Sequence, residues 1–77
     1  MRTTLYKTRI TQEMLDATGD CIEQAVAYSD IQDLVFIQVL GGLWTIYNSQ
    51  LKQTLKRRWN GVDIARGWAI SAICDKQ

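Results

Sequence analysis

Histidine and proline are both absent from this chain, and cysteine occurs only twice. Each shortage removes a class of answer. Without His the commonest general acid-base group is missing, and neither a Ser nor a Cys triad can be assembled. Carboxylate di-metal centres in helix bundles draw on Glu-x-x-His pairs, which this composition cannot supply. The expectation is therefore a protein that is not an enzyme and needs no cofactor or metal. Cys21 and Cys74 have no CxxC spacing and fall beside apolar faces, where a thiol behaves as a small hydrophobe. They are expected to be buried and reduced.

The lack of Pro, with five Gly, favours long helices over a β fold that needs turn chemistry every 8 to 12 residues or so. The amino terminus, MRTTLYKTRI, has no apolar run of the kind that marks a secretory signal, so a cytoplasmic location is expected. Residues 34–51 carry no charge, but Gln38, Asn48, Ser49, Gln50 and the pair Gly41-Gly42 argue against a membrane span.

What is present is a chain of 77 residues with 47% hydrophobic composition. That is enough for one folded domain and inconsistent with disorder. A chain of this size buries only about 60% of its unfolded surface, so stability is marginal. Disulfides and metals being poorly supplied, oligomerisation, with a homodimer favoured, is the expected compensation. Net charge is +1, but it is segregated: +3 over residues 1–10, −6 over 11–33, none over 34–51 and +4 over 52–77. Such separation suggests pairing within an assembly or different partners for the two parts.

Along the chain, residues 1–10 read as a basic extended arm or a short strand in need of a partner, which a second copy would supply. Thr11 is placed to cap a helix, with Glu13 near its positive end and Ile10 and Leu15 at staple positions. Leu15, Thr18, Ile22, Ala25 and Val26 continue it at helical spacing, with Met14 and Cys21 beside them and Gly19 inside. Ser29 and Gln32 have the spacing of a capping box for a second helix.

The central stretch, LVFIQVLGGLWTIY, admits two readings. Gly41-Gly42 between β-branched and aromatic runs is a hairpin signal, yet neither arm alternates. Ile37, Leu40, Trp44, Tyr47, Leu51 and Leu55 instead follow one another at steps of three and four. Gln38, Gly42, Thr45, Ser49, Lys52 and Lys56 do the same on the other side. The helix is the favoured reading. Asn60-Gly61 closes it, and a last helix over 62–75 carries Ala65, Trp68, Ala69, Ala72 and Ile73, extended by Ile64 and Ile70. The expected fold is thus all-α, a small bundle of three helices, the long central one breakable at Gly41-Gly42. The alternative is α+β with a Gly-Gly hairpin.

Three surfaces follow from this reading. Ile37, Leu40, Gly41, Gly42, Trp44, Tyr47 and Leu51 form a candidate oligomer interface, because small residues let a second helix approach closely. Glu13, Asp16, Asp20 and Glu23 form an acidic helix face for a protein partner. Lys52, Lys56, Arg57 and Arg58, with Trp59 to stack on a base, form a candidate nucleic-acid surface. A protein-interaction role, as adaptor, inhibitor or regulator, is the leading expectation, and a nucleic-acid-binding regulator the alternative.

Overall fold

The computed structural model describes residues 5–19, 21–28 and 33–74. Its centre is a five-stranded antiparallel sheet in the order β1-β2-β3-β4-β5. The strands are β1 (Leu5–Lys7), β2 (Ile22–Tyr28), β3 (Leu34–Val39), β4 (Trp44–Asn48) and β5 (Gln53–Thr54). Helix α1 (Gln12–Thr18) connects β1 to β2, and α2 (Val62–Ala69) follows β5 and continues as a wider π-type turn over Ile70–Cys74. The all-α bundle expected from the spacing is overturned, and the α+β alternative lies closer.

The reason lies in how the sheet is covered. On one face Leu34, Phe36, Trp44 and Ile46 pack with Trp59, Ala65 and Ala69 under α2. On the other, Val35, Ile37, Val39 and Tyr47 pack with Met14 of α1. A strand buried on both sides reads as a continuous apolar run, without the alternation of a half-solvated strand. The failure of LVFI to alternate is therefore the mark of a strand between two helices.

The chain reverses at residues 40–42. Gly42 N–H donates to Val39 O at 3.1 Å and Val39 N–H to Leu43 O at 2.8 Å, while Gly41 and Gly42 have φ of 95° and 77°. That left-handed backbone is open to Gly and strained for most other residues. Pairing then runs from Gln38 with Trp44 to Leu34 with Asn48.

The first helix is half the expected length. Thr11 Oγ1 accepts from Met14 N–H at 3.3 Å, as a cap should, but Gly19 ends the helix with φ 73° and its N–H bonded to Leu15 O. What reads as its second half is β2. Ile22 and Ala25 share the α1 face although they are an odd number of residues apart, because the register shifts between Ile22 and Gln24. A bulge inserts one residue and so resets which side faces in. With Val26 on the opposite, equally covered face, a bulged strand imitates helical spacing.

Residues 5–7 are a strand, and its partner is β2 of the same chain; residues 1–4 lie outside the described residues, as does the Ser29 to Gln32 capping box. The last helix starts at Val62 as expected, with Gly61 as its cap, and Ile64 is exposed where it was expected to extend the buried stripe. Cys21 is exposed, since the helical face assigned to it does not exist. No helix among the described residues is long and apolar enough to cross a membrane.

Candidate functional site

The sheet edge at β5 carries two local devices that together shape a concavity. The first is the turn after β4. Asn48 Oδ1 accepts from Gln50 N–H at 2.9 Å and Leu51 N–H at 3.0 Å, the side-chain turn for which Asn is suited. Lys52 then adopts φ 54°, and Leu51 is left 65% exposed.

The second device is a bulge. Leu55 N–H donates to Ile46 O at 3.0 Å, and Trp44 and Trp59 exchange backbone bonds at 2.7 and 2.8 Å. Between those two pairings residues 56–58 face Thr45 alone. Thr45 is fully buried, and its Oγ1 lies 2.9 Å from Leu55 O and 3.1 Å from Arg57 O. Its single proton serves one of them at a time. Arg58 Nη1 donates to Thr45 Oγ1 at 3.1 Å and to the Leu55 carbonyl at 3.1 Å. Carbonyls that lose their ladder partners are thus bonded by a side chain on each side.

Between β5 and α2 these devices leave a groove of about 280 Å³. Leu34 and Ile46 form its floor, Trp68 its wall, Leu51 and Leu55 its lip, and Asn48, Gln53 and Thr54 its polar margin. None of these side chains is ionisable. α1 braces β5 from the other face: Lys52 Nζ is 3.2 Å from Glu13 Oε2, and the Thr18 and Thr54 hydroxyls are 3.4 Å apart. The Lys52 to Glu13 pair is exposed at both ends and contributes little in water.

Arg57 lies on the groove's side of the sheet. Its guanidinium carbon is 5.6 Å from the Trp59 ring centroid, within cation-π range. The Trp59 ring is in turn 5.3 Å from that of Trp68.

The three surfaces expected from the sequence fare differently. Of the candidate oligomer interface, Ile37, Trp44 and Tyr47 are buried within the single chain, and Leu40, Gly41 and Gly42 form the hairpin turn. Leu51 sits at the groove, remote from that turn at the far end of β4. No helical strip of small residues exists, because the helix does not. Of the acidic face, Glu13 and Asp16 are exposed on α1 and Glu23 is exposed on β2 at the bulge, while Asp20 lies outside the described residues. They do not line one helix.

Of the basic surface, Lys52, Lys56 and Arg57 are exposed and Arg58 is half-buried against Thr45. Trp59 is 6% exposed, so its ring belongs to the core and offers no face to a base. Sequence reasoning places Leu51 and Leu55 on an apolar stripe but does not join them to Trp68. The available signal is Asn48, whose turn chemistry separates β4 from β5. Comparisons with family models, with curated proteins and with solved structures find no match to this chain.

Proposed function

We propose that the chain is a small, non-enzymatic interaction module that receives a bulky apolar side chain of a protein partner in the groove between β5 and α2. The observation that carries this reading is the groove itself: a concave, apolar surface with a formed floor, bordered by a few polar groups. Pockets of that character are the usual place for a ligand. Its lip is a leucine left mostly in water, and an exposed apolar patch next to a hollow is a common mark of a docking surface. The lining offers hydrogen bonds from Gln53 and the Asn48 amide nitrogen, the Asn48 oxygen being held by its own turn and the Thr54 hydroxyl by Thr18 on the other face, but no acid, base or nucleophile of the ionisable kind, which favours binding over chemistry.

The nucleic-acid reading draws less support. Two of its five residues, Arg58 and Trp59, are engaged by the fold, and the ring expected to stack on a base, Trp59, is 6% exposed.

Methyl-resolved NMR tests the proposal. Titration with a capped Leu-Trp-Leu peptide is expected to shift the methyl signals of Leu34, Ile46, Leu51 and Leu55 and the Trp68 indole N–H together, leaving Met14 on the opposite face unmoved. If the methyls of Leu34 and Ile46 stay fixed while distant exposed residues shift, the groove is not a receptor and the proposal fails.

A further inference from the structure

We infer that the guest of the groove comes from an acidic segment of the partner, a stretch in which Asp or Glu flanks a bulky apolar side chain. This rests on the reading of the groove as a protein-docking site and adds the charge of what docks there. Residues 49–62 contain four cations and no acidic residue, and this segment forms the lip of the groove and the bulge beside it. The cations are sorted by the fold. Lys52 lies toward the α1 face, 3.2 Å from Glu13, and Arg58 is held against Thr45. Lys56 and Arg57 remain exposed, directly after the lip residue Leu55.

Arg57 is on the same face as the groove, through Trp59 and then Trp68, which forms the groove wall. The bulge that displays both cations is fixed from beneath by a buried hydroxyl and a guanidinium. Bulges commonly re-aim side chains beside functional sites, and a binding group held in advance loses less freedom when the ligand arrives. An apolar hollow with Arg57 held on the same side of the sheet and Lys56 next to its lip in the chain suits a guest that is apolar at its centre and negative at its flanks.

A second copy of this chain fits less well. Its exposed carboxylates Glu13 and Asp16 lie on α1, on the opposite face of the sheet from the groove, Glu23 and Asp33 stand singly on β2 and ahead of β3, and Asp63, beside the exposed Ile64 on α2, is a lone acid followed by Arg66. Seating Glu13 and Asp16 in the groove requires a heterologous contact, which builds open arrays of molecules unless it closes into a ring.

Selection from a random peptide library displayed on phage, panned against the intact protein, tests the inference. Three targets are used: wild type, Leu55→Asp at the groove lip, and the double variant Lys56→Glu with Arg57→Glu. Peptides enriched on wild type are expected to carry net negative charge around at least one Leu, Ile, Phe or Trp. They should lose at least about tenfold in affinity on the double variant and fail to bind Leu55→Asp.

Enrichment of neutral or basic peptides that depend on Leu55, or undiminished binding of the acidic pool to the double variant, overturns the inference while leaving the groove as a docking site. If no enriched peptide distinguishes Leu55→Asp from wild type, both the inference and the groove reading fall. A rise in particle mass with concentration that Leu51→Asp abolishes would place a second copy in the groove and overturn the acidic partner. Circular dichroism checks that each variant is folded, and Leu51→Asp replaces Leu55→Asp if the latter is not.

Discussion

Thr45 shows how much one hydroxyl can organise. It is the polar member among the largest fully buried side chains, beside Phe36, Ile37 and Ile46, and the bulge of residues 56–58 is anchored on it. Replacing it with Val keeps the shape and removes the oxygen. The one proton shared between two carbonyls and the acceptor of an Arg58 N–H are then lost, while Arg58 still donates to both carbonyls, so the cost falls at the low end of the usual range, about 1 kcal/mol. For a domain of this size about 1 kcal/mol corresponds to roughly 4–8 °C in melting temperature. Thr45→Val is therefore expected to melt well below wild type and Thr45→Ser close to it, a difference that thermal unfolding followed by circular dichroism reads directly. A Val variant as stable as wild type would mean that the bulge is held by other contacts. The same pair bears on binding: if the bulge prearranges Lys56 and Arg57, the Val variant should also weaken the acidic peptides under conditions where it remains folded.

At the scale of elements the hairpin is the instructive case. Gly41 and Gly42 carry the right signal, and two stripes at helical spacing outweigh it. Those stripes arise because Ile37 and Trp44 are buried from opposite sides, so that residues of either parity are apolar. In β2 a bulge has the same effect, bringing Ile22 and Ala25 to one face at a spacing a helix would also produce. The start signal that depends on a single side chain survives this, as Thr11 caps α1; Asn60-Gly61, read as the close of a central helix, instead precedes α2, whose cap Gly61 makes no side-chain bond. Cover by a second layer, and hence the true period, is a property of the assembled sheet and has no local signature. The candidate site is legible in pieces, as Leu51, Leu55 and the cations, but joining them to Trp68 needs the turn at Asn48. The hairpin makes its own prediction. A Cβ on Gly42 would meet Gln38 Nε2 at 3.9 Å, an ordinary contact, and one on Gly41 would meet nothing within 4 Å. The penalty for L-Ala at either site therefore comes from the positive φ, about 1–2 kcal/mol. Introduced at Gly41 by chemical synthesis, D-Ala should avoid that strain and match or exceed the wild-type stability, since it narrows the unfolded ensemble. Denaturant unfolding compares the three, and a D-Ala variant as unstable as its L counterpart would show that something other than backbone conformation selects Gly. Gly42→Leu should likewise lower stability without altering particle mass, because no helix crosses there.

For the whole molecule, the arrangement of layers sets a gradient of protection. β3 lies at the middle of the sheet, paired on both sides and covered by α1 on one face and α2 on the other. β1 has three residues and β5 two, and each ends the sheet. Short edges limit pairing with other molecules, but they also have little to hold them when the structure breathes. Amides in the core of a sheet exchange by global unfolding, whereas edge amides exchange through local opening that requires less free energy. Hydrogen exchange followed by NMR should therefore rank the amides of Val35, Phe36 and Ile37 slowest, near the stability measured by denaturant. Tyr6 in β1 and Leu55, whose amide donates to Ile46 O at the end of β5, should exchange faster. Occupation of the groove changes this order in a specific way: a guest resting on Leu51, Leu55 and Trp68 stabilises β5 against opening, so the Leu55 amide should slow while Tyr6, at the opposite edge, keeps its rate relative to the core. Equal slowing at both edges would mean that the guest acts only by raising global stability, and slowing at Tyr6 alone would move the binding surface to the other side of the sheet.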